Sequence, residues 1–204
     1  MIFETQIYSG NLSHIHIKGG ATEKFFLDKD SAALLIIDIQ EKLTAVMKTK
    51  EEIIKNCIHL IELSKTYNLP IILTEQYPKG LGQTVEEIRV SLPYYIPIEK
   101  FTFNCCDEPS FLNEITAANR RNIVVTGMEA HVCVLQTCLG LLQEGHNVHV
   151  VKDAVCARSK DNWETGIEFM RDAGAVITST ETVLFQVLRI AGTEEFRAIS
   201  RRIK

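Results

Sequence analysis

Apolar positions in this chain come in short blocks, separated by longer stretches with helical spacing. Ala32-Ala33-Leu34-Leu35-Ile36-Ile37 is a continuous apolar run that stops at Asp38. A run too short for a helix and apolar on both faces suits a parallel strand buried on both sides. Thr49 followed by Glu52 reads as a capping box that opens a helix to about Tyr67. Ile53, Ile54, Cys57, Leu60, Ile61 and Ser64 give that helix one packed stripe. Pro70 introduces a second strand, Ile71-Ile72-Leu73-Thr74, followed by a loop with Pro78, Gly80 and Gly82. A short third strand is expected over 96–100, interrupted by Pro97, and Pro109 is placed to start a helix to about Asn119. Ile123-Val124-Val125-Thr126 is a fourth strand, ending at Gly127, and a helix over 131–144 stops at Gly145. Val148-His149-Val150-Val151 is a fifth strand, ending at Lys152-Asp153. Ser159 caps a helix to Ala173, Gly174 ends it, and Ala175-Val176-Ile177-Thr178 is a sixth strand. Helices from Thr182 and Thr193 complete the pattern.

Strand and helix alternate from residue 32 to 190, which implies βαβ units. The expected fold class is α/β: a single-domain, three-layer α/β/α architecture with a mainly parallel sheet of about six strands. Residues 31–204 form that domain. Residues 1–30 read as an N-terminal arm or hairpin, because Ile15 and Ile17 alternate with His14 and His16 after the turn signal Ser9-Gly10-Asn11. A surface decoration is the favoured reading of this arm. Its alternatives are a metal site at His14 and His16 or an arm that docks on a second subunit.

Composition narrows the function classes. Of 204 residues, 46% are apolar and 24% charged, enough for a sizeable core. The net charge of -4 and the lack of a basic stripe give no nucleic-acid signature. No apolar run reaches the roughly 20 residues that span a bilayer, so no membrane partner is expected. The N-terminus lacks the pattern of a secretory signal, and a cytoplasmic location follows by default. The six cysteines then read as reduced thiols, without zinc-type spacing: core filler, nucleophiles or both. The adjacent Cys105 and Cys106 carry a weaker candidate role in thiol redox chemistry.

In open parallel sheets, ligands bind beyond the carboxyl ends of the strands. The expected strands deliver Asp38, Glu75-Gln76-Tyr77, Lys100, the segment Gly127 to Cys133, and Asp153 to that edge. A carboxylate, an amine and a thiol thus converge. Cys133 sits near a helix start, where the helix dipole and a nearby Lys100 would both favour the thiolate, with Asp38 holding the lysine or accepting the thiol proton. Gly127 allows a sharp turn that aims backbone N–H groups at an oxyanion. Position alone leaves Cys133 open as a core thiol or a nucleophile. Glu75 and Asp153 remain open as substrate contacts or loop anchors, and His131 as a pocket group or a cap of its own loop. The chain has no P-loop, no dinucleotide fingerprint, no G-x-S-x-G and no H-E-x-x-H.

These residues carry a family resemblance over roughly 30–190. Leu35-Ile36-Ile37-Asp38-Ile39-Gln40, Glu99-Lys100-Phe101 leading to Phe103, Thr126-Gly127 through Cys133-Val134, and Val151-Lys152-Asp153-Ala154 resemble the isochorismatase-like cysteine hydrolases, which include nicotinamidase and N-carbamoylsarcosine amidohydrolase. The segments Thr74 to Gly82 and Glu129 to Cys133 are most similar to an isochorismatase-domain branch without an assigned substrate. The resemblance makes 31–204 an isochorismatase-like hydrolase domain. It implies an Asp38, Lys100 and Cys133 triad, a cis peptide between Met128 and Glu129, and an oxyanion hole from the backbone N–H groups of Glu129 and Cys133. Gln40, Tyr77, Phe103 and His131 become candidate substrate contacts. The implied reaction attacks an amide-like carbonyl of a small molecule and passes through a thioester, with no cofactor, in a homo-oligomer of two or more subunits. Residues 75–80 lack the His of the nicotinamidase metal set, so no pocket metal is expected. Ala130-His131 replaces the usual Thr-Asp pair, so the pocket wall differs from those of named relatives. That altered wall also leaves room for a catalytically silent interaction protein on the same fold.

Overall fold

The computed structural model describes residues 22–203. Its six strands are β1 (Ala32–Ile37), β2 (Ile71–Gln76), β3 (Ile98–Lys100), β4 (Asn122–Met128), β5 (Asn147–Cys156) and β6 (Val176–Thr178). They form one sheet in the order β3-β2-β1-β4-β5-β6, with every neighbouring pair parallel. The helices are α1 (Glu41–Ala45), α2 (Lys50–Tyr67), α3 (Pro78–Leu81), α4 (Glu86–Arg89), α5 (Pro109–Ala118), α6 (Leu135–Gln143), α7 (Lys160–Asp172), α8 (Thr180–Leu188) and α9 (Glu194–Ser200). This is the expected single-domain α/β/α fold.

The apolar run of β1 explains the layering. All six of its residues are buried. Side chains of a strand alternate between faces. Accordingly Ala32, Leu34 and Ile36 join the core under α2, α8 and α9, while Ala33, Leu35 and Ile37 join the core under α5, α6 and α7. Each fully buried Leu or Ile here contributes about 1.5–3 kcal/mol of hydrophobic stabilisation. Strand order reverses between β1 and β4, so a crevice is expected where their carboxyl ends part.

Several boundaries differ from the sequence expectation. Thr49 precedes α2 but makes no side-chain cap bond, so the capping box is not formed. α8 begins at Thr180 rather than Thr182, because Ser179 caps it through a bond from the Thr182 N–H. The helix expected over 131–144 opens as a widened, π-helical turn, Ala130–Val134, before α6. β5 does not end at Asp153. It shifts register against β4 between Val125 and Gly127 and runs on to Cys156. The polar Lys152-Asp153 pair marks that irregularity inside a strand, which resembles a strand end when read along the chain. The Ser159 and Thr193 caps both form.

Of the expected arm, residues 1–21 lie outside the described residues, and so do His14 and His16. The part nearest the domain is docked on it. Leu27 is buried in the core, and its N–H donates to Gln186 Oε1 at 2.9 Å.

One buried group in β5 makes stability depend on pH. His149 is fully buried, and neither ring nitrogen makes a hydrogen bond of good geometry among the described residues. Burial lowers its pKa to about 4, with the nearby Lys24 main chain offsetting part of the effect. The unfolded chain, with histidine near 6.5, therefore takes up the proton first, and stability falls as pH drops from 6.5 towards 4. At pH 5 the loss relative to pH 8 is about 2 kcal/mol from this residue. Urea unfolding of the wild type and His149→Leu at both pH values should show this component only in the wild type. Parallel pH profiles would refute the assignment.

Candidate active site

Asp38 follows directly on β1 and adopts φ 52°, a left-handed conformation uncommon outside glycine. Its carboxylate is wholly buried. Oδ1 accepts from Thr74 Oγ1 at 2.7 Å, and Oδ2 accepts from Lys100 Nζ at 2.7 Å. Lys100 ends β3, and its side chain is 0% exposed. The ammonium has three protons and three acceptors: Asp38 Oδ2, Gln76 Oε1 at 2.7 Å and the Thr102 carbonyl at 3.3 Å. Gln76 is itself oriented by donating from Nε2 to the Phe101 carbonyl at 2.9 Å. The loop beyond β3 is tied down by Glu108, which accepts from the Phe101 and Thr102 N–H groups and the Thr102 hydroxyl. Those donors hold its carboxyl below the usual range.

Gly127 brings the Cys133 segment to this pair. Its φ is 122°, and a Cβ there would lie 2.0 Å from the Ile37 carbonyl oxygen. Only glycine lets β4 pass this close to the end of β1, one residue before Asp38. The peptide between Met128 and Glu129 is cis, as the resemblance implies. In the widened turn that follows, the Glu129 carbonyl accepts from Val132 at 3.0 Å and Val134 at 3.2 Å. In an α-helix that carbonyl would take the Cys133 N–H. Gly166 of α7 packs against the same turn, since a Cβ there would sit 2.7 Å from the Ala130 carbonyl.

Cys133 is 5% exposed. Its thiol pKa is raised, first by burial and next by the Asp38 charge beside it, with Lys100 pulling the other way. The expected lowering of the thiol pKa is therefore corrected. Burial outweighs the lysine, whose charge is already shared with Asp38 and Gln76. For Lys100, burial pulls the pKa down, but the charge of Asp38, then those of Cys105 and Cys133, outweigh it, and the net shift is upward. The remaining thiols are also held protonated by burial, Cys105 up to about 11 and Cys106 up to about 12.

The profile of the Isochorismatase domain matches residues 32–182. The chain belongs to the isochorismatase family. The secreted isochorismatase effector Isc1 of Phytophthora sojae is 36% identical over 179 residues, covering 85% of each chain. A solved structure titled as MAR1 ribonuclease from Caenorhabditis elegans is 37% identical, with a TM-score of 0.81, covering 87% of this chain and 92% of that one. YcaC of Escherichia coli, described as an octameric hydrolase of unknown specificity, is 26% identical with a TM-score of 0.82, covering 87% and 90%.

In this isochorismatase-family chain the other candidates divide into two groups. Gln40 is buried and committed to structure: its Nε2 donates to the Gln76 and Gly82 carbonyls at 3.0 and 2.6 Å, and its Oε1 accepts from the Gln76 N–H at 2.8 Å. Glu75, on the opposite face of β2 from Thr74 and Gln76, accepts from the Thr84 N–H and hydroxyl and the Tyr95 hydroxyl, and so anchors a loop. Asp153 likewise anchors Thr180 at the start of α8, through the N–H at 2.8 Å and the hydroxyl at 3.1 Å. Tyr77 and Phe103 instead stay half-exposed on the loops beyond β2 and β3, and Tyr77 packs on Phe101 with centroids 5.6 Å apart. His131 is partly buried, and its Nδ1 has no hydrogen-bond partner among the described residues.

Thr74 was not singled out from sequence, and Gln76 was named only as part of the strand-end segment 75–77; the legible signal is that β2, apolar over Ile71–Leu73, ends in three polar residues, of which Thr74 and Gln76 share one face. Among the described residues no group of three or more His, Cys, Asp or Glu is arranged to hold a metal, and no helix is long and apolar enough to cross a membrane. The roomy surface hollow of about 760 Å3 beside α1, α2 and α4 includes none of Asp38, Lys100 and Cys133. The reactive groups, rather than that open space, identify the site.

Breaking a buried ion pair strands one charge and typically costs about 3–5 kcal/mol. Lys100→Met should lose stability of that order in urea unfolding, and adding Asp38→Asn should recover most of it. A double variant as unstable as the single one would show that the pair's charge is not the source of the loss.

Proposed function

We propose that this protein is a cysteine hydrolase that cleaves an amide-like C–N bond of a small molecule. The observation that carries this reading is the enclosed Lys100–Asp38 contact with the Cys133 thiol beside it. Because the thiol rests protonated, attack and proton loss must be coupled. Cys133 Sγ adds to the carbonyl carbon while Asp38 takes the thiol proton. Lys100 balances the carboxylate and keeps it aimed. The backbone N–H groups of Glu129 and Cys133 receive the oxyanion, a contribution typically worth about 2.7–4 kcal/mol per donor. Collapse expels the amine with the proton from Asp38 and leaves a Cys133 thioester. Water, deprotonated by Asp38, then adds to the thioester carbon, and collapse breaks the C–S bond, releases the acid and returns the proton from Asp38 to Cys133 Sγ. No step calls on a cofactor.

Tyr77, Phe103 and His131 are the groups still available to contact substrate; Gln40 acts by shaping the loop. Small-molecule rather than nucleic-acid substrates agree with the net charge of -4. The protein assembles as a homo-oligomer in this reading, supported by the octamer described for the Escherichia coli relative. All six cysteines are free thiols, which supports a reducing, cytoplasmic setting. Residues 1–30 are read as an arm attached to a hydrolase domain over 31–204.

A panel of small amides, ureas and carbamates tests the reading. Cys133→Ala should lower turnover of any substrate by about 1000-fold or more while leaving the fold intact. Mass spectrometry should find the acyl group on Cys133 during turnover. Turnover that survives Cys133→Ala would overturn the mechanism. A panel without turnover, with a stable partner recovered instead, would favour the interaction protein.

A further inference from the structure

Glu129 follows β4 directly, four residues before Cys133, and its polar groups are unequally occupied. Its carbonyl accepts from the Val132 and Val134 N–H groups at 3.0 and 3.2 Å. Its Oε2 accepts from the Arg158 N–H and from Arg158 Nε, both at 3.1 Å. The Glu129 N–H, by contrast, meets no acceptor among the described residues. Glu129 is buried, and backbone donors without a partner are rare in such surroundings. A free N–H close to a nucleophile is the group that a developing oxyanion requires.

Arg158 reaches Glu129 because β5 runs on past Lys152-Asp153. Gly127 pairs with Val155 and Met128 with Cys156, which carries the next residues of the chain alongside Glu129. The chain then enters α7, where a Cβ on Gly166 would lie 2.7 Å from the Ala130 carbonyl oxygen and 3.0 Å from the His131 nitrogen. One segment, 158–166, thus holds the turn at two points. The ion pair itself is a poor source of stability. The Arg158 side chain is 61% exposed, and exposed pairs contribute only about 0–1 kcal/mol. The Glu129 side chain is 9% exposed, so its carboxylate has lost most of its water. An apolar residue would fill that place at lower cost. What the carboxylate adds is direction, since two donors from one residue converge on a single oxygen.

We propose that Arg158 is a positioning residue for hydrolysis: it clasps the Glu129 side chain and so keeps the Glu129 N–H aimed at the oxyanion formed when Cys133 attacks. The proposal rests on the hydrolase reading above and adds to it a group that acts through Glu129 rather than on the substrate.

Such a role predicts a selective defect, which two electrophiles can separate. With 4-nitrophenyl acetate, Cys133 Sγ adds to the carbonyl carbon and Asp38 takes the thiol proton. Collapse of the oxyanion then expels 4-nitrophenolate and leaves acetyl-Cys133. With iodoacetamide, Sγ displaces iodide from carbon, the thiol proton is again lost, and no oxyanion forms. Peptide mass mapping of the full chain follows both adducts at Cys133. Arg158→Met should acetylate about 10-fold more slowly or worse, yet alkylate within about twofold of the wild type. Arg158→Lys, which keeps a charged donor on an exposed side chain, should recover part of the lost acetylation rate. Circular dichroism checks that both variants fold. Should Arg158→Met not fold, Arg158→Lys should still slow acetylation more than alkylation. Equal slowing of the two reactions, unchanged acetylation, or no recovery in Arg158→Lys would overturn the positioning role. Wild-type Cys133 that is alkylated but never acetylated would overturn the hydrolase reading itself, whereas acetylation equal in wild type and variants would overturn only the role of Arg158.

Discussion

Lys100 brings a full positive charge into an interior that water does not reach, and much of the surrounding structure is arranged to make that tolerable. Its three protons meet a carboxylate, an amide oxygen and a main-chain carbonyl. Each acceptor is held by another element: Asp38 by Thr74, Gln76 by the Phe101 carbonyl, and the Thr102 segment by Glu108. A buried ion pair gains little net stability over a well-packed apolar pair. Its presence where the strand order reverses is better explained by chemistry than by folding.

The sheet topology supplies the meeting point. β1 and β4 are central neighbours, and Asp38 and the Cys133 turn leave their carboxyl ends side by side. The approach depends on Gly127, where any side chain would strike the Ile37 carbonyl. β2 and β3 then bring Gln76 and Lys100 in from one side, paired in register. The result is a buried thiol, its pKa raised, set beside a charge-balanced carboxylate.

Much of the fold was legible along the chain because burial on both faces leaves a continuous apolar run, as in β1 and β4, and because Ser159, Thr193 and Pro109 carry local start signals. The strands end in polar residues, so Asp38, Lys100 and Cys133 could be collected by topology before any contact was known. Boundaries failed where local signals conflict with tertiary pairing. Lys152-Asp153 looks like a strand end but lies within β5, because pairing with β4 resumes beyond it, at Val155 and Cys156. Thr49 and Glu52 have the spacing of a capping box without forming one.

The sequence by itself determined the α/β class, the order of elements and the identities of the carboxylate, amine and thiol, since these depend on periodicity and on which residues stand at strand ends. Only the tertiary structure decided what each polar group faces. It engaged Glu75, Asp153 and Gln40 in hydrogen bonds to neighbouring segments, enlisted Thr74 and Gln76 around the ion pair, and reversed the expected direction of the Cys133 pKa shift. The physical reason is common to all of these. Desolvation and hydrogen-bond partnership depend on neighbours distant in sequence, and no local pattern records how much water a folded side chain has lost.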